Sequence, residues 1–135
     1  MRTAATYSDV VGEVVEELAQ SISLATNAGI EPGAIVVDPG IGFAKTGSQS
    51  MALLRDLSAL AALGRPVLVG PSRKSFIGEI TGVPALERGP GTLAACILAY
   101  LGGARIFRVH EVAPLVQALK VTRAILEGGS GEQMA

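Results

Sequence analysis

The side chains best suited to chemistry on a small polar molecule are Asp38, the run Ser72-Arg73-Lys74-Ser75, Arg108 and His110. A carboxylate accepts hydrogen bonds from a donor edge, lysine and arginine donate to acceptors and anions, and an imidazole holds or passes a proton. Each group follows or closes an apolar run. Asp38 ends Ala34-Ile35-Val36-Val37, the basic run follows Pro66-Val67-Leu68-Val69-Gly70, and Arg108 and His110 close the run beginning at Ile106-Phe107. Every one of them also has a plain structural use. Asp38-Pro39-Gly40 starts turns readily, Arg73-Lys74 suits a solvated basic pair, Arg108 suits an ion pair in a sheet, and a lone histidine is more often structural than catalytic. Their shared position at the ends of successive apolar runs is what points to a ligand site.

The elements that must carry these groups alternate. Val10, Val11, Val14, Val15, Leu18, Ile22 and Ala25 recur at helical spacing, with Ser8 as the expected N-cap and Gly29 past the end. Parallel strands are predicted near residues 34–38, 66–70 and 105–109. Helices are predicted over about 48–63, a short stretch to about Thr81, about 92–101, and from about Pro114 to Leu126. Such α-βα-βα-βα alternation requires a parallel sheet with right-handed crossovers, whose ligands lie at the C-terminal strand ends. Three strands cannot close a barrel. The pattern is thus either a small flavodoxin-like layer or part of something larger.

Composition narrows the class. The 135 residues are 49% hydrophobic and 17% charged, which suits a packed core. A net charge of −1 argues against a nucleic-acid or anionic-membrane footprint. Mean hydropathy is high at +0.46, yet the run Leu93 to Leu101 is far shorter than the roughly 20 residues of a spanning helix. The single cysteine, Cys96, lies inside that run and reads as a small buried hydrophobe in a reducing cytoplasm. Gly40-Ile41-Gly42-Phe43 lacks the third glycine of a dinucleotide fingerprint, and Gly70 to Ser75 lacks the glycine before lysine of a P-loop, so neither NAD nor ATP is implied.

Three segments taken together resemble one family. Asp38-Pro39-Gly40-Ile41-Gly42-Phe43-Ala44-Lys45-Thr46, Gly70-Pro71-Ser72-Arg73-Lys74-Ser75-Phe76-Ile77-Gly78 and Arg108-Val109-His110-Glu111-Val112 resemble the sixth, seventh and eighth strand-end motifs of the dihydropteroate synthases. Glu87-Arg88-Gly89-Pro90-Gly91-Thr92-Leu93-Ala94-Ala95 is similar to the segment before that family's seventh barrel helix. The resemblance implies the C-terminal portion of a (β/α)8 TIM barrel. Three parallel βα units preceded by a helix would fill residues 1–127 as a partial pterin-binding domain, with a flexible tail over 128–135.

It also implies an activity, the joining of p-aminobenzoate to a dihydropterin methyl diphosphate in folate biosynthesis. By position, Asp38, Lys74 and Arg108 would bind the pterin, Arg108 and His110 the diphosphate, and Phe43, Pro71, Arg73 and Ser75 the p-aminobenzoate. Lys74, Arg108 and His110 would form the catalytic set. Mg²⁺ would accompany the diphosphate, on a protein ligand near the family's first strand, for which this sequence has no counterpart. A cytoplasmic homodimer through the last barrel helices and sensitivity to sulfonamides are further implications. Met1-Arg2 resembles the remnant of a motif after the fifth strand, and Ala44 stands where glycine is more usual. Two other readings compete: a pterin-binding methyltransferase domain, and a non-catalytic assembly or dimerisation module. The expectation for this chain is little or no synthase turnover without the rest of the barrel.

Overall fold

The computed structural model describes residues 7–128. Its elements are α1 (Val10–Asn27), α2 (Gly47–Arg55), α3 (Ser58–Ala61), β1 (Val67–Val69), α4 (Ser75–Thr81), α5 (Gly89–Leu101), β2 (Ala104–Phe107) and α6 (Val112–Leu126), with short 3₁₀ turns at Pro32–Ala34 and Ala85–Glu87. The Met1-Arg2 motif and the tail from residue 129 onward lie outside the described residues.

Helix α1 is capped by Asp9, not by the expected Ser8. The Asp9 side chain accepts from the Gly12 amide at 3.2 Å, while Glu13 Oε2 accepts from the Ser8 and Asp9 amides at 2.9 and 3.0 Å. Three amide donors at the helix start are thereby satisfied at once. Val10 and Val14 are buried, and Val11, Val15, Leu18 and Ile22 pack beside them against the core.

The sheet runs in the order Val37 segment, β1, β2, all parallel. Val37 forms a bridge to Val67: its amide donates to Pro66 O at 2.9 Å and its carbonyl accepts from the Leu68 amide at 2.8 Å. β1 and β2 pair through Val67 with Ala104, Leu68 with Ile106 and Val69 with Phe107, and the Arg108 amide extends the ladder to Val69 O at 3.0 Å. The first predicted strand is therefore corrected. Residues 32–34 coil into a 3₁₀ turn and only Val37 pairs, because among the described residues this segment has a neighbour on one side only.

One face of the sheet is sealed. Val37, Val67, Val69 and Ala104 join Leu53, Leu54, Leu57, Leu60, Ala95 and Ala99 of the helices in a single core. The opposite face is open, with Val36 46% and Ile106 39% exposed. The predicted 48–63 helix divides at Asp56, whose amide closes α2 onto Ala52 O, and Leu57 and Leu60 beyond the break are fully buried. Thr46 and Gln49 form a reciprocal capping box that fixes where α2 starts, at 3.1 and 2.9 Å. α5 begins at Gly89 with Pro90 in its first turn, earlier than predicted, which brings Thr92 into the interior.

Candidate active site

The open sheet face determines where the chemistry falls. Side chains alternate along a strand, so Val36, Asp38, Leu68, Gly70, Ile106 and Arg108 share the open face; by register Asp38 is level with Leu68 and Ile106, and Gly70 with Arg108 one step nearer the C-terminal ends. Gly70 lies on the central strand, between Arg108 and the segment that carries Asp38. A Cβ there would lie 2.5 Å from Arg108 Nη2 and 2.9 Å from Cζ, so only glycine lets the guanidinium cross the central strand. Having crossed, Arg108 Nη1 reaches Asp38 Oδ2 at 3.5 Å. The other oxygen, Asp38 Oδ1, accepts from the Gly40 amide at 2.8 Å. Both structural uses of these residues, the turn and the ion pair, are thus present. The side chains nonetheless remain 56% and 35% exposed, so the pair is open to a ligand.

The loop after Asp38 turns through left-handed residues Gly40, Gly42 and Ala44, the last at φ 51°. The buried Ser50 hydroxyl accepts from the Gly42 amide at 3.0 Å and ties the loop to α2. Lys74 crosses from the next strand end onto this loop. Its Cδ would lie 2.8 Å from a Cβ at Gly42, and its Nζ sits 4.1 Å from the centre of the Phe43 ring. Lys45 Nζ donates to Phe43 O at 3.1 Å. Burial holds the Lys45 pKa below the ordinary lysine value, against the opposing pull of Glu17 and Asp38.

The second strand end is held in a strained shape. Arg73 has φ 59°, a left-handed conformation uncommon outside glycine. Its amide donates to Thr92 Oγ1 at 3.0 Å, and its carbonyl accepts from Arg88 Nη1 at 2.9 Å. Arg88 Nε also donates to Val83 O at 3.1 Å, so one guanidinium pins both sides of α4. At the third strand end, His110 Nδ1 lies 2.7 Å from the Ser72 hydroxyl, which also accepts from the His110 amide at 3.2 Å.

Every expected site residue falls at this edge, and the side chains of Asp38 and Arg108, and of Lys74 and Phe43, are brought together directly. Phe43 is 48% exposed, Ser75 is exposed at the start of α4 and Arg73 is half-buried. Pro71 differs: its side chain is fully buried and offers no surface to a ligand in this structure. Ser72 stands out in the sequence as part of the basic run but without a role, and Arg88, Thr92, Gly70 and Lys45 lie in the quoted motifs without one. Their roles depend on tertiary neighbours.

A recess of about 210 Å³ at this edge is lined by Ser72, Arg73, Thr92, Leu93, His110 and Glu111. A larger groove of about 770 Å³ lies on the helix side, lined by Met51, Leu54, Ile77, Ile80 and Leu98 among others. It is almost wholly apolar and remote from these groups. The strand-end edge instead offers the Asp38 carboxylate among the cations Arg73, Lys74 and Arg108, with Glu111 bordering the recess, an arrangement that can accept from a donor-rich ring and hold an attached anion.

Comparison with known proteins gives the family. A family model described as pterin binding enzyme matches residues 1–110. The chain is similar to dihydropteroate synthase of Synechocystis, at 48% identity over 126 residues, covering 93% of this chain and 44% of that one. It is also similar to the Mycobacterium leprae enzyme of the same name, at 45% over 132 residues, covering 93% and 46%. Among solved structures, it superposes on Xanthomonas albilineans dihydropteroate synthase with 4-aminobenzoic acid at TM-score 0.89 and 44% identity, covering 92% of this chain and 47% of that one. The same enzyme in complex with 7,8-dihydropteroate gives 0.90 and 43%, covering 93% and 48%. The chain spans a little under half the length of these relatives.

Proposed function

This chain belongs to the pterin-binding enzyme family, and from that premise we propose that its strand-end edge forms part of a dihydropteroate synthase site, on the sixth to eighth strands of a TIM barrel. The observation that carries the reading is the Arg108 guanidinium crossing Gly70 to meet Asp38, with Lys74 laid across the Gly42 loop beside it. Asp38 accepts from the amino and ring N–H groups of the pterin, Lys74 donates to its acceptor edge, and Arg108 covers its face. Arg108 and His110 hold the diphosphate, while Phe43, Arg73 and Ser75 border the p-aminobenzoate. The carbon–oxygen bond to diphosphate breaks, the methylene cation is trapped by the amine nitrogen, and that nitrogen then loses its proton. Orientation and charge stabilisation are the protein's contribution; no covalent intermediate is required.

Mg²⁺, which the resemblance implies, would arrive with the diphosphate. Among the described residues, no group of three or more His, Cys, Asp or Glu side chains could hold a metal ion. Exposed Leu98, Leu101, Val121 and Ile125 on α5 and α6 support self-association through the last helices. Sulfonamide sensitivity follows from the same p-aminobenzoate border, since a Yersinia pestis dihydropteroate synthase of similar fold is known in a sulfonamide complex (TM-score 0.86, 35% identity). No helix among the described residues is long and apolar enough to cross a membrane.

The test is dihydropteroate formation by this chain, and by this chain supplied with the remaining part of the family barrel. Turnover near zero in the first and restored in the second supports the proposal. Full turnover by the chain unaided, or none from a folded complete barrel, contradicts it.

A further inference from the structure

We infer that Ser72 is a positioning residue that fixes His110 as an Nε2–H donor, so that the imidazole meets an incoming diphosphate oxygen with a proton already in place. The inference rests on the proposed reading for the identity of the anion, but its geometry stands on its own.

Ser72 is 9% exposed, and among the described residues its hydroxyl is bonded only to His110. The oxygen accepts from the His110 amide at 3.2 Å, which seats the serine against the histidine backbone and leaves the hydroxyl proton to be placed. His110 Nδ1 lies 2.7 Å away, in strong hydrogen-bond range. Two neutral tautomers are available to the ring. With the proton on Nδ1, both His110 N–H groups would donate to the serine oxygen and the serine proton would have no acceptor in a buried position. With the proton on Nε2, the serine donates to bare Nδ1 and every group is satisfied. The cost of orphaning a buried hydroxyl proton favours the second tautomer by roughly fivefold or more.

The protonated imidazole also carries its proton on Nε2 and donates Nδ1–H to the serine. Nε2 is therefore a donor in both the favoured neutral form and the charged form. An anion such as diphosphate needs a donor there, and an acceptor at Nε2 would repel it.

His110 is the chain's single histidine, so its ¹⁵N imidazole signals need no assignment. They are recorded on the intact chain with the pH raised until they stop moving. The expected result is a bare Nδ1 and a protonated Nε2. Ser72→Ala is expected to shift the ring toward the mixed tautomers of an unconstrained imidazole, and Ser72→Thr to restore the single form. A wild-type ring protonated on Nδ1 overturns the inference, as does an unchanged tautomer ratio in a folded Ser72→Ala protein. Inorganic diphosphate is then titrated in. A moving Nε2 signal, with affinity roughly fivefold or more weaker in Ser72→Ala, supports the donor role. A fixed tautomer with an Nε2 signal indifferent to diphosphate overturns the anion assignment while leaving Ser72's hold on the ring intact.

Discussion

Replacing Gly70 by alanine separates ligand binding from folding at the centre of the site. The added Cβ would stand 2.5 Å from Arg108 Nη2 and 3.0 Å from Nε, so the guanidinium must swing off the strand and away from Asp38. Gly70 is not among the residues with positive φ, so alanine fits the backbone and gains about 0.4–1 kcal/mol from a stiffer unfolded chain. Against this stands the lost Arg108–Asp38 pair, whose side chains are 56% and 35% exposed and which is worth about 0–1 kcal/mol. Net stability should change by less than about 1 kcal/mol. Ligand binding should not be spared, because a charge-assisted hydrogen bond to phosphate contributes about 1.5–3 kcal/mol, or roughly ten- to a hundredfold in affinity. Unfolding midpoints are compared with calorimetric affinity for the pterin methyl diphosphate in the complete barrel. A collapsed midpoint would show that Arg108 serves the fold, and unchanged affinity would show that its place over Gly70 is irrelevant to the ligand.

Three further outcomes are expected. Lys74→Ala should cut turnover by a large factor while barely moving the melting temperature, since Lys74 leans on Gly42 and Phe43 at the surface of the site and not in the core; kinetics beside thermal melts check this. Ala44→Gly should stabilise by roughly 0.5–1 kcal/mol, as relief of a left-handed alanine at φ 51° outweighs the added freedom of the unfolded chain; denaturant midpoints measure it. Burial raises the Cys96 thiol to about 11, above its unfolded value of roughly 8.5. The unfolded chain therefore loses its thiol proton first, and the Cys96 contribution to stability falls as pH rises between those values. Denaturation at a series of alkaline pH values should show that fall, and a Cys96→Ala protein should lack it.

The sequence pattern located the strand ends because each apolar run stops where a polar group begins, and all of those groups do share one edge. It overestimated the first strand. Ile35, Val36 and Val37 are β-branched as if flanked on both sides, yet among the described residues only Val37 has a strand partner and Val36 is left exposed. Hydrophobic runs record the surroundings for which a segment is suited, and Val36 and Ile106 are suited to a covered sheet face that the described residues do not provide. Short-range signals also misplaced caps by a residue or two: Ser8 and Asp9 both satisfy the N-cap pattern, and only the geometry chooses Asp9. The roles of Ser72, Arg88 and Thr92 were illegible for another reason. Their partners, His110 and Arg73, lie 15 to 38 residues away in sequence, and no local period reports a hydrogen bond of that span.

The central claim, that Asp38 meets the donor edge of a pterin, is tested most directly by its conservative amide. Asp38→Asn keeps the size of the side chain but replaces one acceptor oxygen with a donor NH₂ and removes the charge. Affinity for the pterin methyl diphosphate is titrated for both proteins in the complete barrel, with melting temperatures alongside. The account predicts a Kd raised roughly tenfold or more, with the fold retained, because the Asp38–Arg108 pair is half-exposed and contributes little to stability. An unchanged Kd, or a loss of binding that only follows a loss of folding, would contradict it.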